Sequence, residues 1–170
     1  MRRIAVSALL LTTLAAGCGG ESKNSATTQV ATDHTSPLPS SASYVEVADT
    51  ICSNHRSRRE DLESQASQVG PLTSRARARQ VATLLRKESS NRRAEVAELR
   101  SLQPPPADAV TVDSILKQVQ AEAGVIDRWA RAYDELNPAG IRRQQIRLGL
   151  TAGRASDRAR EYGFLVCGRQ

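Results

Sequence analysis

Few residues in this chain are equipped for chemistry. It holds two histidines, His34 and His55, and three cysteines, Cys18, Cys52 and Cys167. Cys52 precedes His55 by three positions, a spacing that puts thiol and imidazole on one helical face. A nucleophile beside its base is one reading of that pair. The weightier reading makes Cys52 half of a structural disulfide. Two histidines are too few for a conventional zinc site. No Glu-x-x-His pair exists from which to build a di-iron bundle centre. A P-loop, a nucleotide-binding glycine fingerprint and a Gly-x-Ser-x-Gly elbow are also missing from the sequence. No catalytic residue, metal or cofactor is assigned, and an enzyme is not expected.

One group of polar residues stands out by its position. The apolar stripe of the first helical segment is interrupted by His55 and Arg59, and the second segment turns polar from Glu88 through Arg93. Counting from the turn at Gly70 and from a pairing of Cys52 with Cys167 sets His55 near Glu88 and near Asp157 or Glu161 of the fourth segment. The plainer expectation is that these groups lie at the stripe margin with their heads in water, or form a structural pair, since a buried unpaired charge is costly. The sharper one is a polar pocket made by His55, Arg59, Glu88, Asp157 and Glu161 that binds an anionic or polar ligand. The pairs Arg58-Arg59, Arg92-Arg93 and Arg142-Arg143, with Arg75, Arg77 and Arg79, are spread over several segments. They read as solvated faces, some of them usable by anionic lipids or wall polymers.

The elements that must position these groups are helices. From Tyr44 onward apolar residues recur at three and four, and breaks fall at Gly70-Pro71, Pro104-Pro105-Pro106 and Asn137-Pro138. The pattern predicts helices near 44–69, 73–102, 108–136 and 138–162. Thr73 or Ser74 opens the second, Asp108 caps the third, and Asn137 with Pro138 starts the fourth. The third carries Val112, Ile115, Leu116, Val119, Ile126 and Trp129 and should be the best buried. Gly163 before Phe164 reads as a left-handed helix stop. Short connections give an all-α, up-down-up-down four-helix bundle.

Charge narrows the partners. The whole chain carries +6; without Arg2 and Arg3 the basic residues number 22 against 18 acidic ones, a net of +4. That excess is mild and the aromatics are few, so nucleic acid is not an expected partner.

The N-terminus reads as an address. Arg2 and Arg3 precede an apolar run, Ile4 to Ala16, too short to span a bilayer. It ends Leu14-Ala15-Ala16-Gly17-Cys18, which resembles the lipobox of bacterial lipoproteins, with Ala15 where that motif usually has Leu, Val or Ile. The resemblance implies a signal peptide over 1–17, lipid on Cys18 and a protein anchored on the extracytoplasmic face of the cell membrane. The competing reading is ordinary secretion with Cys18 as a free thiol. Residues 18–43, rich in Ser, Thr, Ala and Gly, are expected to be a disordered tether reaching roughly 25–30 Å.

With Cys18 acylated, Cys52 and Cys167 remain to pair in an oxidising compartment. An up-down-up-down bundle brings the start of its first helix and the end of its fourth together, so one disulfide can close the domain at 44–170. The segments Ala48-Asp49-x-Ile51-Cys52, Gln103-Pro104-Pro105-Pro106 and Phe164-Leu165-Val166-Cys167-Gly168 resemble the cysteine-bracketed helical domain of small lipoproteins from high-GC Gram-positive bacteria. That likeness bears on fold and location and transfers no catalytic residue. The function expected is a non-enzymatic interaction module of the cell envelope whose partner is an envelope protein or wall polymer. The alternative is an accessory lipoprotein holding a small ligand in a polar pocket of the bundle. Nothing in the sequence sets the oligomeric state.

Overall fold

The structure is a computed structural model and describes residues 40–71 and 74–169. Within them lie four helices, α1 (Ser41–Gln68), α2 (Arg75–Ser101), α3 (Ala109–Asp134) and α4 (Pro138–Tyr162). The expected signal peptide, Cys18, His34 and most of the expected tether lie outside the described residues. Ser41, Ala42 and Ser43, at the end of the expected tether, form the first turn of α1 instead. Ser40 explains the early start, because its hydroxyl accepts the Ser43 N–H at 3.2 Å.

The other starts follow their caps with one exception. Ser74 Oγ accepts from Arg77 N, and Asn137 Oδ1 accepts from Gly140 N at 2.9 Å, with Pro138 in the first turn of α4. Asp108 does not cap α3 through its side chain. Its backbone is already helical, and its carboxylate accepts hydroxyl protons from Ser41 at 2.7 Å and Tyr162 at 3.0 Å. The expected cap is therefore a tie between α1, α3 and α4.

Helix packing runs in chain order, α1 on α2, α2 on α3 and α3 on α4. Among the described residues α1 and α4 make no close backbone approach, so the bundle has an open seam between its first and last helices. Alanines at 78, 82, 123 and 130 are buried and let α2 and α3 approach closely. The apolar core gathers at one end, around Tyr44, Cys52, Leu99, Ile115, Ala159 and Phe164. Tyr44, Tyr162 and Phe164 form an aromatic triangle there, with centroids 5.0–6.4 Å apart. Helix α3 buries more residues than any other, as its pattern demands.

At that same end the chain segment after α4 is latched to α1. Cys52 and Cys167 form a disulfide with their Cα atoms 5.2 Å apart. Three residues before Cys52, Asp49 accepts backbone N–H groups from Leu165, Val166 and Cys167 at 2.8–3.0 Å. Four residues after it, the Arg56 guanidinium donates to the carbonyls of Val166 at 2.6 Å and Arg169 at 2.7 Å. Asp49, Cys52 and Arg56 share one face of α1, so a single helical stripe satisfies donors and acceptors of the tail. Gly168 has no room for a side chain, because a Cβ there would come within 2.6 Å of Arg160 Cγ and 3.0 Å of the Phe164 carbonyl.

Candidate functional site

Beyond the disulfide end the interior changes character. Four charged side chains are buried or nearly so at mid-bundle: Arg92, Glu95 and Glu122 are at most 6% exposed, and Arg59 13%. Arg92 is the hub. Its guanidinium lies 3.3 Å from Glu88 Oε1, 3.3 Å from Glu95 Oε2 and 3.5 Å from Glu122 Oε2. Arg59 approaches the same carboxylates of α2, 3.4 Å from Glu88 and 3.9 Å from Glu95. Three helices thus contribute two guanidiniums and three carboxylates.

The local sequence accounts for the convergence. Glu88, Arg92 and Glu95 recur at four and three along α2, so they share one face. Glu122 takes the matching place on α3, between Val119 and Ile126 of its most apolar stripe. Packing of α2 on α3 carries that carboxylate inward, where it is fully buried.

Burial dominates the electrostatics. It pushes the Glu122 carboxyl up to about 7; Arg92 opposes the shift, and Glu95 adds to it. The Glu88 carboxyl is also raised by burial, against the pull of Arg92 and Arg59. Arg59 is lowered by burial and then by Arg92, with Glu95, Glu88 and Glu122 acting the other way. With Glu122 protonated the five groups sum to zero charge, and with it ionised they sum to −1. Hydrogen bonding is incomplete as well. Both carboxylate oxygens of Glu88 and of Glu122 are buried without an aligned donor, although guanidinium nitrogens lie within ion-pair range of Glu88 Oε1 and Glu122 Oε2. Among the described residues Glu122 Oε1 has no hydrogen-bond partner.

A cavity of about 330 Å³ opens over this cluster. Arg59, Glu88, Arg92 and Glu122 form its polar floor. Its walls are apolar: Leu62 from α1, Leu84 and Leu85 from α2, Ile126 and Trp129 from α3, and Leu148 and Ala152 from α4. All four helices therefore line it, and it lies along the seam that α1 and α4 leave open. Its size falls at the small end of the range for small-molecule sites. Other hollows, such as one of about 400 Å³ between α1 and α2 beside Gln65, Arg79 and Thr83, are open surface grooves without converging buried charges.

The expected pocket is partly assembled. Arg59 and Glu88 come together as anticipated. His55 belongs elsewhere: it is fully buried, with Nδ1 2.8 Å from Asn91 Oδ1 and Nε2 3.1 Å from Glu98 Oε1, while Asn91 Nδ2 donates to the His55 carbonyl. The α1–α2 register is shifted by about one turn from the count made at Gly70, which moves His55 from Glu88 to Asn91. Asp157 and Glu161 are not in the site. Asp157 is exposed and pairs with Arg160, and Glu161 is exposed on α4. The arginine pairs are also only partly solvated faces, because Arg59 and Arg92 are the cations of the buried cluster.

Arg92, Glu95, Glu122 and Trp129 are the residues that sequence reasoning left out of the site. A carboxylate in register with the apolar stripe of α3 was the available signal. Among the described residues no group of histidine, cysteine and carboxylate side chains could hold a metal ion, and no helix is long and apolar enough to cross a membrane. No protein-family model matches the chain, and neither a curated protein nor a solved structure matches it.

Proposed function

We propose that this chain is a non-enzymatic binding module, held by lipid on Cys18 at the extracytoplasmic face of the cell membrane, whose bundle interior takes up a small ligand. The observation that carries the reading is the cavity itself, apolar on its walls and charged on its floor, with all four helices contributing. A pocket of that composition favours a ligand with an apolar body and a polar end. The anchor rests on the sequence before Cys18, and an intact mass of membrane-extracted protein should show a diacylglyceryl adduct that Cys18→Ala abolishes.

The binding half is tested with N-phenyl-1-naphthylamine, a neutral apolar fluorophore, and the full chain carrying Cys18→Ser, which takes no lipid at that position. Trp129, the only tryptophan in the chain, lines the cavity and serves as energy-transfer donor. Saturable transfer is expected, weakened by about tenfold or more in Ala152→Phe, whose ring would intrude into the cavity. Absence of transfer, or transfer unaffected by Ala152→Phe, would sink the reading. A second reading, docking of an envelope protein, draws on Ile146 and Leu150, which lie one turn apart on α4 and are 60% and 63% exposed. Specific crosslinks from that face would favour it.

A further inference from the structure

The charge and hydrogen-bond count of the cavity floor specify the polar end of the ligand, an inference that rests on the binding reading above. Four carboxylate oxygens, those of Glu88 and Glu122, lack an aligned donor, and both residues line the cavity. Of the donors nearby, the Nε groups of Arg59 and Arg92 face Glu88 Oε1 as ion pairs at 3.4 and 3.3 Å, and Trp129 Nε1 on the wall is buried without an acceptor of its own, which leaves Glu122 Oε1 and Glu88 Oε2 on the floor unserved. The floor is therefore short of donors. It is also short of positive charge once Glu122 ionises, since three carboxylates then face two guanidiniums.

We propose that the cavity binds an amphiphilic primary amine, its ammonium seated against Glu122 and Glu88 and its hydrocarbon body against Leu85, Ile126, Trp129 and Leu148. An ammonium brings three donors and one positive charge, which supplies both deficits at once. A carboxylate ligand would bring acceptors to a floor already rich in them, and would enter beside three acidic side chains. A neutral alcohol would supply one donor and no charge. The apolar walls favour any of the three bodies equally, so selectivity among them belongs to the floor.

Binding of the amine is linked to pH because it requires ionised Glu122. The groups facing that carboxyl are Arg92, Glu88 and Glu95 from α2 and Arg59 from α1, with Glu63 of α1 at the cavity rim and only Leu148 and Ala152 from α4. Burial holds the Glu122 carboxyl at about 7 in the empty protein. Amine affinity is then greatest above that value, and it falls by up to about tenfold per pH unit below it, because the ligand must displace a proton.

The test displaces N-phenyl-1-naphthylamine from the full chain carrying Cys18→Ser, using n-octylamine, n-octanol and octanoate as competitors. The expected order is octylamine ahead of octanol and octanol ahead of octanoate, with about tenfold or more between the first and last. In Glu122→Gln octylamine should weaken by about tenfold relative to octanol measured in the same variant and lose its pH dependence between about pH 6 and 8, the octanol reading registering any change in the cavity itself. Octanoate competing as well as octylamine, or octylamine affinity indifferent to both pH and Glu122→Gln, would overturn the amine assignment and leave the binding reading standing. Failure of the fluorophore to bind the parent protein would remove both.

Discussion

Glu122 shows how much a single buried carboxyl can set. In the unfolded chain it titrates near 4.5, and in the folded protein at about 7. Below about pH 4.5 both states are protonated and the group is neutral towards stability. As pH rises the unfolded chain releases the proton first, so stability falls through the window and levels off above about 7. The full difference is about 3 kcal/mol at about 1.36 kcal/mol per unit. Glu88 is raised in the same direction. Urea unfolding of Glu122→Gln across that window should therefore show a weaker decline than the parent, the two curves diverging by about 2–3 kcal/mol between the ends. Parallel curves would mean that Glu122 is ionised in the fold throughout. A protein that retains such a group gives up stability at neutral pH, as expected of a site that a cationic partner completes.

At the scale of elements, two helix ends repeat one motif with different residues. After α4 the Gly163 N–H donates to Arg160 O and the Phe164 N–H to Ala159 O, both at 3.0 Å, with Gly163 left-handed at φ 110°. After α3 the Leu136 N–H donates to Tyr133 O at 3.1 Å and the Asn137 N–H to Ala132 O at 2.9 Å, with Leu136 at φ 51°. Both are Schellman closures, and the second places a Cβ where glycine is favoured. Leu136→Gly should stabilise the protein by about 0.5–1 kcal/mol, and Gly163→Ala, with open space around the new Cβ, should cost about 1 kcal/mol. Thermal unfolding of the pair measures both; opposite signs are the signature, and a loss in Leu136→Gly would mean that its half-exposed side chain contributes more than the strain removes. The same elements show what was legible in the sequence. Gly70-Pro71, the three prolines at 104–106 and Asn137-Pro138 delimit the helices because each acts through its own backbone. Arg59 and Glu88 were visible as polar breaks in apolar stripes. The partners of His55 were not, because helix register across α1 and α2 is set by packing along their whole length, and an error of one turn exchanges Asn91 for Glu88. Glu122 escaped notice because it sits among the apolar residues that made α3 so clear a helix.

For the whole molecule, the governing feature is the uneven closure of the bundle. Helices α1 and α4 have no close backbone approach among the described residues; they meet through side chains at one end, Tyr44 against Tyr162, and through the tail after α4, held by Asp49, Cys52 and Arg56. The core is concentrated at that end, and the cavity lies away from it along the open seam. The disulfide spans 115 positions, so on the chain-entropy argument it contributes about 4–5 kcal/mol. Asp49 adds a second, independent hold, because Asp49→Asn would weaken three charge-assisted hydrogen bonds at a cost of about 1–3 kcal/mol. Since α1 and α4 meet only through side chains and the latch at one end while α2 and α3 pack along their backbones, losing the latch should loosen the molecule unevenly. Hydrogen exchange on the variant combining Cys52→Ala and Cys167→Ala should show protection falling first across 41–56 and 160–169, with α2 and α3 retaining theirs. If protection instead drops equally in all four helices, the latch and the core unfold as one cooperative unit. If it drops at the ends alone, the latch fixes only the start of α1 and the end of α4, and the part of the bundle that holds Arg59, Leu62, Leu148 and Ala152 around the cavity stands without it.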